Sequence, residues 1–454
     1  MSQPNPPSMC APSGPAWLAD RRAAAADRFA GLARPTPAEE VWRYSRIDQL
    51  DLDRYGPVPA PTSPTAPDDG TSSGIPAAVA PLVEALGARA AVVVTRNGRV
   101  TLLEAEPAAA KIVLTSAADD TSDAGRRLDI ADTPHDALTA LHDAHLADAV
   151  VIEVPNGVAL SEPIVIVHWV DADAAVIPVR TVVTVGEAAE ATVVEIIAGT
   201  DVDSLVLPVT ALVLGPAANL RYASVQQAGN RVWVVAHQGS TVDRDANLVS
   251  ASVALGGGYA RLRTDSALVG KGASTNLLAV YFGEGDQMHD FRTLQDHRAE
   301  KTTSELLFKG AVADTSHSVY TGLIRVENGA HGTKAFQTNR NLVLSEGARA
   351  DSVPNLEIDE NDVACSHASA VGPVDDEQRF YLESRGVPSG VADRLIVLGF
   401  LTEVLDRAPV PGLRQPLAAA LADRLERVEG PQGFASSHSG RPSAGDDAGP
   451  GVAG

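Results

Sequence analysis

From about Ala149 the chain becomes a succession of short β-branched runs separated by turns at a nearly fixed interval. The runs VVIEV, PIVIVHWV, VIPVRTVVTV, LVLPVTALVL and VWVVAHQ each end in Gly, Asn, Asp or Pro, as strands do. Ala189, Ala218, Ala246 and Ala273 follow VGEA, LGPA, VDRD and VGKG, at spacings of 29, 28 and 27 residues, and Gly329-Ala330 falls two periods further on. Such a period, with short strands and no helical patterning between them, predicts a solenoid whose units stack only on their neighbours. An α/β crossover fold would need helices in the gaps. A sandwich would give short strands without the even interval. The expectation is a mostly β chain with a parallel β-helix core over residues 145–374.

The flanks read differently. Residues 1–14 and 430–454 are rich in Pro, Ser and Gly, and the composition predicts disordered tails. Residues 15–144 form an N-terminal helical and mixed region. It opens with an Ala-rich helix behind Pro15, carries an exposed loop at 59–74, and ends in a short helix, Asp136 to Ala147. Residues 375–429 form a C-terminal helical domain. There DDEQRFYLESRG stops at Gly386, Pro388-Ser389 opens a second helix, and LRQPLAAALADRLERV forms a third. Val391, Leu395, Leu398, Leu401 and Leu405 recur at helical spacing in the second, and Leu417, Leu421, Leu425 and Val428 in the third, as core-packing stripes would.

Hydrophobic residues make up 44% of the chain and aromatics 4%, so the core is built from small and β-branched side chains. A net charge of −22 argues against a general affinity for nucleic acid or an anionic membrane. Two cysteines, Cys10 and Cys365, cannot form a disulfide framework, and no apolar run reaches membrane-span length. A cytoplasmic protein is expected. The Walker A, G-x-G-x-x-G, H-E-x-x-H, C-x-x-C and G-x-S-x-G motifs are absent, which removes the standard nucleotide-hydrolysing and zinc signatures. His289, His297, His317 and His331 are scattered through the late strands, and a lone histidine there is more often a hydrogen-bonded residue than a ligand.

Cys365-Ser366-His367 is different in kind. On an extended strand the side chains at i and i+2 project from one face. A thiolate and an imidazole so placed can share a soft metal, or the imidazole can activate the thiol as a nucleophile. Thiolate is the usual iron–sulfur ligand and histidine an accepted substitute, but two ligands are too few for a closed site. An inert, buried cysteine is the third reading. The triplet alone leaves all three open.

Phe308 to Val387 carries FKG, FQTNRNLVLS, PNLEI, DV-x-CSH and FYLESRG in that order. These phrases closely resemble the C-terminal half of the SufB/SufD family of iron–sulfur cluster assembly proteins. A weaker likeness runs upstream through LTALHDAHLADAVVIEVPNGVALSEPIVIVH to EEVWRY, Glu39 to Tyr44. The chain is more similar to the SufD branch: it has Cys365-Ser366-His367 where SufB has an Glu-His pair, no Cys in QTNRNL (Gln337 to Leu342), and FYL where SufB tends to have FYC. It departs from the pattern at Ala368-Ser369-Ala370, usually Gly-Ala-Thr, and at Asp359-Glu360-Asn361, usually a Tyr-containing segment.

The resemblance implies a right-handed parallel β-helix between helical regions and a non-catalytic scaffold subunit. It implies a heterodimer with SufB through the β-helix, a SufC ATPase bound through the C-terminal helices, and a possible homodimer in isolation. The cargo would be a transient iron–sulfur cluster shared with SufB, with His367 as a ligand and Cys365 as a second. Phe380, Tyr381, Arg385 and Phe400 become candidates for the SufC contact, with Leu395 and Leu398 assigned to intrachain packing.

Overall fold

The computed structural model describes residues 14–59, 74–107, 111–119, 128 and 136–429. The leader with Cys10, almost all of the 59–74 loop and the C-terminal tail lie outside these residues.

The chain opens with α1 (Ala16–Gly31), a two-residue strand β1 (Gly56–Pro57), α2 (Ala80–Ala85), β2 (Ala91–Arg96), β3 (Arg99–Ala105), β4 (Val113–Ser116) and α3 (Ala137–His145). Sixteen strands follow: β5 (Val150–Val154), β6 (Ile164–Val170), β7 (Ala175–Val185), β8 (Glu190–Gly199), β9 (Leu205–Leu214), β10 (Asn219–Gln227), β11 (Trp233–Val242), β12 (Asn247–Ala254), β13 (Tyr259–Leu268), β14 (Ser274–Gly283), β15 (Met288–His297), β16 (Thr303–Val312), β17 (His317–Val326), β18 (Thr333–Val343), β19 (Arg349–Ile358) and β20 (Val363–Gly372). The chain then turns helical as α4 (Asp376–Ser384), α5 (Ser389–Arg407) and α6 (Arg414–Glu429).

Odd-numbered strands from β5 to β19 stack in parallel as one sheet, and even-numbered strands from β6 to β20 as the other. Each turn of the chain adds one strand to each sheet, giving a β-solenoid of about eight turns with helices at both ends. The periodic alanines mark one corner. Ala188, Ala217, Asp245, Gly272 and Lys301 take positive φ there. The amides of Ala189, Ala218, Ala246 and Ala273 donate to the carbonyls of Gly186, Gly215, Asp243 and Gly270, each at 3.1 Å. All four alanines are fully buried, small side chains in an inward corner position.

One turn past Ala273 the residue changes but the interval holds, and it breaks at the turn after that. The ladder pairs Ser274 with Thr303 and Thr303 with Lys334, so Thr302 and Thr333 occupy the next two inward corner positions. Gly329-Ala330 makes the same turn, with the Ala330 amide on the Glu327 carbonyl, three residues early. His331, Gly332 and Thr333 are inserted after it.

Helices cover both outer faces. Leu278, Val280, Phe282 and Leu307 on the even sheet pack with Val397, Leu401, Val404, Leu417, Leu421 and Leu425 of α5 and α6. Trp42, Leu52, Leu138 and Leu141 cover Val176, Leu205 and Leu207 of the odd sheet. In α5 the buried side is centred on Val397 and Leu401, and Leu398 only partly joins it. Leu395, expected to pack, is 51% exposed. At 100° per residue it lies about 160° around the helix from Val397, so the two cannot share a face. Among the described residues no helix is long and apolar enough to cross a membrane.

The two ends of the solenoid differ. At the start, β3 and β4 add antiparallel strands that close both sheets. At the finish, β19 and β20 terminate the strand order of their sheets.

Candidate functional site at the open end

On β20, Cys365 pairs with Ala335, His367 with Gln337, Ser369 with Asn339 and Val371 with Asn341. Those four partners are buried, whereas His367, Ser369 and Val371 are exposed. On β19, Leu356 and Ile358 pair with Ile324 and Val326, which are fully buried, yet each remains 39% exposed. Positions that form the core one turn earlier are thus uncovered in the last turn, because no further coil stacks on it. Unpaired strand edges and bare apolar side chains of this kind are a liability unless something docks there.

The strand alternation expected for Cys365 and His367 is present: both lie on the inward-facing parity of β20, at the free edge. Their environments differ. Cys365 is half-buried against the cluster of Ile324, Val326, Ala330 and Ala335, and burial pushes its thiol up from the ordinary cysteine value. That is the opposite of activation for nucleophilic attack, which needs a depressed thiol pKa. The exposed His367 makes no side-chain hydrogen bond or ion pair among the described residues. No three His, Cys, Asp or Glu side chains there gather into a metal site, so the pair stands as two donors on an open edge.

A second feature lies one rung inward. Gln337 is 2% exposed, and neither its Oε1 nor its Nε2 has a hydrogen-bond partner. A buried amide left unpaired costs roughly 1–3 kcal/mol. Further in, the interior is polar and only partly satisfied: both ring nitrogens of His289 and the Oε1 of Gln295 are also buried without a partner among the described residues. The Tyr281 hydroxyl donates to Asn341 at 2.6 Å and accepts from Asn339, and Thr293 bonds the Tyr320 hydroxyl. QTNRNL appears in the sequence as a family phrase; that its Gln, second Asn and first Asn all face the solenoid interior follows only once the strand parity is known.

Three of the four scattered histidines bond framework neighbours, and the fourth, His289, is buried with both ring nitrogens unpartnered among the described residues. His297 bonds Thr302 and Ser304, His317 bonds Asp351, and His331 pairs with Glu360. His289 is buried against Tyr281 and Phe291. A cleft of about 40 Å³ lies on the odd sheet between Trp42, His142, His237 and Arg261, and neither Cys365 nor His367 lines it.

On the helices, Phe380 and Tyr381 are 72% and 57% exposed, and the Arg385 guanidinium sits 5.0 Å from the Tyr381 ring. Phe400 is partly buried with the Lys309 ammonium 4.3 Å from its ring centroid, so it packs within the chain as well as facing out.

A family model described as SUF system FeS cluster assembly, SufBD core domain, matches residues 168–400, just over half the chain. The chain belongs to the SufBD family. An iron–sulfur cluster assembly SufBD family protein of Mycobacterium tuberculosis is 41% identical over 210 residues, 44% of this chain and 53% of that protein. The iron–sulfur cluster assembly protein SufD of Bacillus subtilis is 29% identical over 292 residues, 64% of this chain and 67% of its own. SufD of Escherichia coli is 35% identical over 190 residues, covering 42% and 45%. The chain spans about half the length of the mycobacterial relatives that are 40–41% identical to it. Within the family it is most like SufD.

Proposed function

We propose that this chain is a SufD-like scaffold subunit, not an enzyme, and that it contributes half of a shared site for a nascent iron–sulfur cluster. The observation that carries this is the pair of soft donors on an uncapped β-solenoid edge. His367 and Cys365 supply two ligands, the remainder comes from SufB docked against β19 and β20, and the cluster is transient cargo. The exposed Leu356, Ile358 and Val371 supply apolar area for that docking. Without SufB the same edge is open to a second copy of this chain. The exposed face of α4 and α5, with Phe380, Tyr381 and Arg385 and with Phe400 behind them, is the proposed contact for SufC in the cytoplasm. SufC would couple ATP-driven movement to the solenoids through α5 and α6. The high pKa of Cys365 counts against a stand-alone Cys–His enzyme.

The test is reconstitution with SufB and SufC, iron and sulfide, followed by optical spectroscopy. The scaffold co-elutes with both partners and the complex develops cluster absorption. His367→Ala leaves the complex intact and abolishes cluster maturation. An unimpaired His367→Ala complex would reduce the chain to a structural role, and a chain that ignores both partners would end the scaffold reading.

A further inference from the structure

We propose that Gln337 is a positioning residue for His367: its carboxamide oxygen accepts the proton of one imidazole nitrogen and so aims the other, with its lone pair free, out of the open end. This deepens the reading of His367 as a cargo ligand and rests on it. Three observations converge. Gln337 and His367 are direct partners on adjacent strands, about 4.8 Å apart in the ladder direction, with side chains on the same inward face. The carboxamide is almost wholly buried with both polar atoms unsatisfied, and the neighbouring imidazole is likewise without a partner. Room for the carboxamide exists because position 322 is glycine. A Cβ there would lie 1.9 Å from Gln337 Nε2 and 2.3 Å from the Tyr320 hydroxyl.

The chemistry suits the task. A histidine that ligates a metal through one nitrogen commonly donates the N–H of the other to a carbonyl or carboxylate, which fixes the tautomer and the ring plane. A carboxamide does this without adding charge, so it leaves the number of anionic ligands around the cargo unchanged. The other neighbour of Gln337 on the ladder, Leu306, offers it nothing polar. Across the solenoid the Gln337 Nε2 lies near Gly322 and the Tyr320 hydroxyl without bonding either, which leaves His367 as the polar partner that the proposal supplies.

The experiment is ring-nitrogen NMR of the full chain labelled with ¹⁵N-histidine, with His367→Gln identifying the resonances. In the wild type, His367 holds one neutral tautomer well in excess of the mixture shown by free histidine in the same buffer. In Gln337→Met, which keeps the length and removes the carboxamide, the ratio returns to the free mixture while the thermal midpoint is no lower than wild type. A wild-type ratio equal to free histidine overturns the proposal without any variant. So does an unchanged ratio in Gln337→Met, whatever its midpoint. In the reconstituted complex Gln337→Met loses iron to a chelator roughly tenfold faster than wild type. If His367→Ala leaves cluster loading intact, the ligand reading fails while the tautomer result stands. If His367→Ala abolishes loading and Gln337→Met leaves the tautomer unmoved, the positioning role alone fails.

Discussion

Glu195 sits inside the solenoid on β8 with its carboxylate fully enclosed. His168 Nε2 lies 2.8 Å from Oε1, Thr181 donates to Oε1 at 2.6 Å and Thr210 to Oε2 at 3.0 Å, and the Tyr222 hydroxyl also bonds Oε2. Burial alone would raise its pKa, but the bonds from His168, Thr181 and Tyr222 outweigh that and hold it below the usual glutamate value. Glu195→Ala strands four polar groups in the core and is expected to cost on the order of 3–5 kcal/mol in urea unfolding. A loss under 1 kcal/mol would mean that these groups find other partners. VVEII gave a visible clue to this site, an acidic residue at the centre of an apolar strand, but its partners come from strands 14 to 27 residues away. Pairing at that range depends on the solenoid register, which spacing gives only approximately. Cys365 and His367 were legible because two residues on one strand need only alternation; Gln337 was not, because its position beneath His367 depends on which strands adjoin.

Helix α5 is joined to the even sheet by more than its apolar face. Lys309 is only 3% exposed and lies between the Glu403 carboxylate and the Phe400 ring, while Glu403 is nearly half exposed. That asymmetry decides which partner matters more. Lys309→Met removes the buried charge, keeps most of the packed stem, and leaves Glu403 to water, for a cost of about 1 kcal/mol. Glu403→Ala leaves an ammonium buried without its acceptor and should cost more, roughly 2–3 kcal/mol. Urea unfolding of both variants checks the order, and a larger loss for Lys309→Met would reverse the argument. The helix itself was readable from its caps and length. Its buried side was not, because Leu, Ile and Val occur all round α5, and the pattern cannot say which stripe the sheet selects.

Across the whole molecule, acid sensitivity should follow the interior histidines before it follows the carboxylates. Burial lowers His289 and His297 to about 4, with the Arg424 charge adding to the effect at His289; burial and the neighbouring His142 lower His145 to about 4. In the unfolded chain these groups titrate at about 6.5. Between those values the unfolded state binds protons that the folded state refuses, so stability is complete above pH 6.5 and falls as pH drops toward 4. Each unit of pKa difference is worth roughly 1.4 kcal/mol per histidine, making the combined loss several kcal/mol. The carboxylates held low, among them Glu195, Asp265 and Asp296, withdraw their share only below about pH 4. Urea unfolding of the full chain at pH 7.5, 6.0 and 5.0 should therefore give a steadily falling midpoint. Burial lowers His142 as well, and His297→Asn, which retains hydrogen-bonding capacity toward Thr302 and Ser304, should flatten part of the slope between pH 6 and 5. A midpoint constant from pH 7.5 to 5.0 would show that the interior accepts these protons as readily as water does, and that the polar lining of the solenoid is hydrated rather than packed dry.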